Sequence, residues 1–201
     1  KMKITKIITL FLLTTFSVVA QQKISVEEIY TGAFRAKGID ALQSMKNTNQ
    51  YTVLNTDRTT KSQQIDLYDF ATLKKVSTLI DTKNFKELSD DGIDSYVFSN
   101  DEKQILIANN SNQIFRHSFT ADYFLYDTKS QKISGFLGQV QEPTFSPDGT
   151  KIAFAKTNDL YIYDIASKNT TRVTNDGVKN AVINGITDWV YEEEFAFVRA
   201  F

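Results

Sequence analysis

In "FSPDGTKIAFAKTNDLYIYD" (Phe145–Asp164), two alternating runs flank a three-residue polar break. "KIAFAK" (Lys151–Lys156) and "LYIYDI" (Leu160–Ile165) both alternate with a period of two, as strands do when one face is buried. The preceding "SPDG" (Ser146–Gly149) is turn chemistry, because Pro147 fixes φ and Gly149 can take φ > 0. The stretch therefore reads as strand, turn and strand.

The same unit recurs upstream. "FSNDEKQILIANN" (Phe98–Asn110) matches "FSPDGTKIAFAKTN" (Phe145–Asn158) almost position for position, 47 residues earlier. Tyr126-Asp127 and Tyr163-Asp164 close the two copies, and Tyr68-Asp69 suggests a third. Repetition at intervals of ~40–50 residues, each a small antiparallel sheet, is the mark of β-propeller blades. "YTVLN" (Tyr51–Asn55), "QIDLYDF" (Gln64–Phe70) and "YFLYD" (Tyr123–Asp127) add strands, and no helical period persists between Tyr51 and Thr187. Fifteen Phe and nine Tyr, against two Pro and eight Gly, also favour β structure. The expected fold is all-β: a partial β-propeller over 51–201, with about three blades and the start of a fourth. Each blade must stack on a neighbour to bury both faces. So few blades cannot close a ring of the usual size.

Two segments precede this body. In 21–50, Ser25 followed by Glu28 forms a capping box and predicts a short helix over Val26–Tyr30. In 1–20, Lys1, Lys3 and Lys6 lead into the apolar run Ile7–Val19, and Val18-Val19-Ala20 offers small residues for cleavage. Thirteen residues fall short of the ~20 that a membrane span needs. The segment reads as a cleavable signal peptide, which makes the protein exported, either periplasmic or secreted.

Composition excludes several functions. With 23 basic and 24 acidic residues, the net charge of −1 gives no footprint for nucleic acid. The absence of cysteine removes disulfides, thiol nucleophiles and thiolate metal sites. A single histidine, His117, rules out a His-rich metal site, so zinc chemistry is not expected. No G-x-S-x-G occurs, hence no nucleophile elbow.

The repeats differ in one respect. Phe145 to Asp164 spans 19 residues, but Phe98 to Asp127 spans 29, with the surplus inside "NNSNQIFRHSFTAD" (Asn109–Asp122). Loops that interrupt a repeat on one rim commonly carry binding groups. This one delivers Arg116 and His117. Arg116 could present its planar fork to a carbonyl or carboxylate, or stack on Phe115 or Phe119 as packing. His117 and Ser118 do not make a catalytic pair, since strand neighbours point to opposite faces and no third group orients them.

The second feature is "DWVYEEEF" (Asp188–Phe195). Asp188 is a plausible N-cap for a short helix from about Trp189 to Glu194. Successive side chains on a helix lie ~100° apart, so only two neighbouring glutamates can converge. Two carboxylates ~4 Å apart repel by roughly 4 kcal/mol at an effective dielectric of ~20, which an ammonium between them would relieve. A solvated acidic face is the alternative. Trp189 and Tyr191 favour the binding reading, as a rigid aromatic setting for the acids.

With these residues in hand, "NGITDWVYEEEF" (Asn184–Phe195) closely resembles the double-glutamate motif of the dipeptidyl peptidase IV family, within the prolyl oligopeptidase-type serine peptidases. "FRHSFTADYFLYD" (Phe115–Asp127) resembles that family's arginine loop and the strand after it, and "SVEEIYTGAFRAKGI" (Ser25–Ile39) is similar to the N-terminal segment of bacterial members. The resemblance covers essentially all of the chain after the signal. It implies that Glu193 and Glu194 hold the free N-terminal ammonium of a peptide and that Arg116 reaches a carbonyl of the same peptide. Glu192 is left as the solvated or structural member. Such enzymes remove Xaa-Pro or Xaa-Ala dipeptides without metal or cofactor, using a C-terminal α/β-hydrolase domain. That catalytic domain is absent from this chain, which is expected to be inactive alone, with no catalytic residue of its own. The partners implied are peptides with a free N-terminus, the missing hydrolase domain and, for the parent, a homodimer. Two other readings stand beside this one: a non-catalytic exported propeller scaffold binding a cell-envelope partner, and a tripeptidyl-type relative.

Overall fold

A computed structural model describes residues 24–36, 41–89 and 92–201. The expected signal peptide, 1–20, lies outside the described residues. The chain divides into two units, Lys1–Ile39 and Asp40–Phe201. In the first, helix α1 spans Val26–Thr31. Its capping box forms: the Glu28 amide donates to Ser25 Oγ at 3.1 Å, and the Ser25 amide donates to Glu28 Oε2 at 2.9 Å. Gly32 ends the helix at φ 77°, a conformation open to glycine at little cost.

The second unit is built from four-stranded antiparallel blades. Strands β1 (Leu42–Ser44), β2 (Gln50–Thr56), β3 (Gln63–Asp69) and β4 (Lys75–Asp81) form the first, in that order. A 3-10 turn at Thr82–Asn84 and the short helix α2 (Lys86–Ser89) lead onward. Next come β5 (Ser95–Phe98), β6 (Gln104–Gln113), β7 (Phe119–Asp127) and the 14-residue β8 (Lys132–Phe145). After them follow β9 (Lys151–Lys156), β10 (Asp159–Asp164) and β11 (Asn169–Arg172).

Strand β8 serves two blades. Its residues up to Val140 pair with β7, and Gln141, Thr144 and Phe145 pair with β9. Between them the register breaks, with Gln139 at φ 45° and Glu142 at φ 51°. Pro143, which has no N–H to give a ladder, falls inside the bulge that separates Gln141 from Thr144. The bend makes one continuous strand the outer edge of the second blade and the inner edge of the third.

Alternation explains the stacking. On β6, Ile105 and Ile107 join Ile65, Ile80 and Tyr126 in one buried cluster, while Leu106 and Ala108 join Leu125, Ile152 and Phe154 in another. Both faces of the middle blade are thus covered, which is why its central strand reads as a continuous apolar run. Polar ties reinforce the first junction: the Tyr126 hydroxyl donates to the Leu79 carbonyl at 2.9 Å, and the Tyr96 and Thr52 hydroxyls bond at 2.9 Å. The fold is an incomplete β-propeller, and its described strands close no ring.

The repeat is also visible atom by atom. Ser99 Oγ bonds Asp101 and accepts from the Gln104 amide; Ser146 Oγ bonds Asp148 and accepts from the Lys151 amide. Glu102 and Gly149 hold the matching left-handed positions at φ 59° and 70°. At the other turns, Asp69, Asp127 and Asp164 accept from the amides of Thr72, Ser130 and Ser167 at 2.8, 2.6 and 2.9 Å. Each is an Asx-type turn, in which a short carboxylate replaces a backbone acceptor.

Beyond β11 the chain forms β12 (Gly185–Ile186), α3 (Trp189–Phe195) and β13 (Arg199–Ala200). The two short strands pair antiparallel and bracket the helix.

Candidate functional site: a hairpin arm anchored to an acidic helix

The arginine loop is an extension of the β6–β7 hairpin. In the next blade, β9 and β10 pair from Lys156 and Asp159 and turn through Thr157 and Asn158, at φ 50° and 62°. Asn110, at φ 50°, is the counterpart of Thr157, but here the strands continue. After a bulge, Asn112 pairs with Thr120 and Gln113 with Phe119, leaving Ile114–Ser118 as the tip. The Ile114 amide donates to the Ser118 carbonyl at 2.9 Å. Gln113 Nε2 donates to the carbonyls of Phe115 and Arg116, the latter at 3.1 Å.

The acidic helix is capped as its sequence demands: the Tyr191 amide donates to Asp188 Oδ1 at 3.0 Å. It ends at Ala196, in the left-handed conformation at φ 54°. The segment leading to it is moored by Asp159, which accepts from Arg172, from Thr174 Oγ1 at 2.8 Å, from the Gly177 amide at 3.1 Å and from Asn184 at 3.3 Å.

The three glutamates take three different positions. Glu192 is 1% exposed. Its Oε1 accepts from the backbone amides of His117 at 2.6 Å and Ser118 at 2.8 Å. Burial works against its charge, but the hydrogen bonds from Ser118 and the His117 amide outweigh it, so the carboxyl titrates below the ordinary range. Glu193, with its side chain 17% exposed, meets the Arg116 guanidinium at 3.2 Å. Glu194 is exposed. Glu142, in the bend of β8, titrates above its usual range because it is half-buried and because Glu192 lies near, an effect that Arg199 opposes.

Of the residues singled out in the sequence, Arg116 and Glu193 are brought together, and Glu194 is the next residue on the same helix. The choice left open for Arg116 falls to the carboxylate. Glu192 is structural, not solvated. The aromatic setting differs from expectation: Trp189 and Tyr191 are 56% and 53% exposed, so they do not encase the acids. The anchoring carboxylate and the N-cap hold the helix instead. Glu192 and Gln113 had no distinguishing signal in sequence, since their partners are backbone groups.

A cavity of about 650 Å³ is lined by Ile114, Phe115 and Ser118 of the hairpin and by Asp188, Trp189 and Glu192, among others, but not by Arg116, Glu193 or Glu194. Among the described residues, no group of three or more His, Cys, Asp or Glu side chains is placed to hold a metal ion. The exposed, ion-paired arginine beside two successive carboxylates can recognise a cation and a neighbouring acceptor on the same ligand.

Fold and site together define a propeller segment that presents a basic arm to an acidic helix. Residues 99–201 match the family described as dipeptidyl peptidase IV (DPP IV) N-terminal region, and the chain belongs to that family. It is 36% identical over 144 residues to dipeptidyl aminopeptidase B of Saccharomyces cerevisiae, a match covering 71% of this chain and 17% of the yeast protein. With dipeptidyl peptidase 4 of Felis catus it shares 36% identity over 121 residues, 59% of this chain and 16% of that protein. The crystal structure of Porphyromonas gingivalis dipeptidyl peptidase 4 superposes with a TM-score of 0.75 at 34% identity, over 89% of this chain and 26% of that one. The chain thus spans about a quarter or less of the length of these relatives.

Proposed function

We propose that this chain is the N-terminal propeller part of an exported serine-type dipeptidyl peptidase that removes Xaa-Pro or Xaa-Ala dipeptides from peptide N-termini. Glu193 and Glu194 hold the substrate ammonium, and Arg116 donates to a carbonyl of the same peptide. The observation that carries this reading is the Arg116–Glu193 pair, at 3.2 Å, formed between two motifs far apart in sequence. The Arg116 side chain is 67% exposed. An ion pair so open to solvent contributes about 0–1 kcal/mol at most to stability, so fold maintenance does not account for it.

The chemistry fits an α-ammonium. Such a group has three donors and one positive charge, matching adjacent carboxylates, and charge-assisted hydrogen bonds are the stronger kind. Arg116 limits the repulsion between the acids before substrate arrives. Clamping the ammonium sets the scissile carbonyl two residues away, and orientation of that kind supplies much of a rate. Under this reading the bond-breaking groups belong to an α/β-hydrolase domain elsewhere in the parent protein, and no metal or organic cofactor takes part. Export rests on the signal-like segment at 1–20.

The test is the double substitution Glu193→Gln with Glu194→Gln in the full-length enzyme, assayed with Ala-Pro p-nitroanilide. Loss of two charged hydrogen-bond acceptors should raise KM, lower kcat and reduce kcat/KM by about 10- to 1,000-fold. Wild-type kinetics in that variant would overturn the assignment. The 201-residue chain alone should hydrolyse none of this substrate.

A further inference from the structure

We propose that Glu192 is the positioning residue of this site: its buried carboxylate bolts the Arg116 hairpin to the helix that carries Glu193 and Glu194. This rests on the reading of those three residues as the ammonium and carbonyl site.

A carboxylate 1% exposed is costly to bury unless its charge is met by donors. Here the donors are the His117 and Ser118 amides, 75 and 74 residues away, at 2.6 and 2.8 Å. Both immediately follow Arg116. On the other side of the arginine, Gln113 holds the carbonyls of Phe115 and Arg116 itself. The backbone that carries Arg116 is therefore gripped from both directions. The guanidinium is largely in solvent, so its position relative to Glu193 is set through that backbone rather than by packing of its own side chain.

Adjacent residues on one helical turn make this arrangement possible. Glu192 points into the protein and Glu193 towards the arginine, about 100° further round. One helix thereby fixes both the acid and, through Glu192, the distance to the base. Without the anchor the hairpin tip, whose Ile114 and Phe115 are each 42% exposed, has few packed side chains to hold it. A mobile arginine would cost substrate affinity while leaving the blades intact.

The experiment uses the full-length enzyme of which this chain is part, and its Glu192→Ala and Glu192→Gln variants. Amide hydrogen exchange is read at His117 and Ser118, with strand amides around Ile65 and Ile152 as the internal standard of folding. Binding of Ala-Pro amide and of N-acetyl-Ala-Pro amide is measured in parallel. With the strand amides unchanged, Glu192→Ala should speed exchange at both loop amides about tenfold or more and weaken Ala-Pro amide binding by about tenfold or more, the worth of one or two hydrogen bonds to a charged group. Glu192→Gln keeps an acceptor oxygen and should recover a large part of both. A folded Glu192→Ala variant with wild-type exchange and affinity overturns the proposal. If Glu192→Ala does not fold, Glu192→Gln decides: its loop amides should exchange about threefold or more faster, since the neutral acceptor is roughly half as strong, and wild-type exchange overturns the proposal. If the wild type fails to prefer Ala-Pro amide over its acetylated form, the ammonium reading falls, and the exchange data still decide whether Glu192 holds the loop.

Discussion

The β6–β7 and β9–β10 hairpins begin alike and end differently. Both start from a serine that bonds the aspartate two residues on, and both return to a tyrosine–aspartate turn. In the third blade the strands close at once through Thr157 and Asn158, and the turn holds the later chain, the Asn184 amide donating to the Asn158 carbonyl at 3.0 Å. In the second, the matching left-handed residue, Asn110, is followed by a bulge and an arm that ends in Arg116. The scaffold positions are held in common, and the arm that brings Arg116 to Glu193 exists only where one copy was lengthened. A repeat can carry a site without disturbing its own core when the added residues leave at a turn.

This equivalence can be attacked, most severely at the core. Ile105 and Ile152 are counterparts, each 0% exposed. Ile105→Ala and Ile152→Ala should each cost about 2–5 kcal/mol in urea denaturation. A difference between them as large as either effect would break the equivalence of the blades. Gly177 tests the short turn itself. A Cβ there would lie 2.4 Å from the Asn158 carbonyl oxygen, so Gly177→Ala should destabilise by about 1–3 kcal/mol, lowering Tm by about 2–12 °C. No change would show that the turn yields freely.

A gentler probe copies one blade onto the other. Thr157 is β-branched and sits at φ 50°, where Asn110 already stands in the second blade. Thr157→Asn should stabilise by about 0.5–1 kcal/mol, read as a raised urea midpoint. The smallest effect is acid sensitivity of the shared turns. Asp101, held by Lys103, Asp148, held by Ser146, and Asp164, held by Ser167, each titrate at about 2 against an ordinary 3.8. Groups whose folded pKa is depressed contribute stability above the unfolded value and lose it as pH falls through the folded one. Tm should therefore decline as the pH is lowered from about 4 to about 2, with the turns of both blades contributing. A flat profile across that window would mean that these bonds add nothing.

Much of this molecule was legible from short stretches. The capping box of α1, the Asp188 cap and the strand Lys151–Lys156 depend on neighbours within a few residues and appear where expected, and the strand expected over Leu160–Ile165 appears one residue earlier, at Asp159–Asp164. Strands β4, β5, β8 and β11 did not announce themselves. In β8 the interruptions Gly135, Gly138 and Pro143 hide a 14-residue strand, because its bulges are tolerated only when two sheets pull on it from opposite edges. In β11, "NTTR" is exposed throughout, so it shows no apolar alternation to read.

The site divides along the same line. The sequence by itself determined that an acidic helix would be capped at Asp188, that its three glutamates could not converge, and that one repeat carried an arginine on an extra loop. Each of these follows from local geometry or from counting residues. Only the tertiary structure decided which glutamate is buried, which one meets Arg116, and that two backbone amides hold the loop in place. Those contacts join groups some 75 residues apart, and a backbone amide carries no mark in the sequence of where its acceptor will come from.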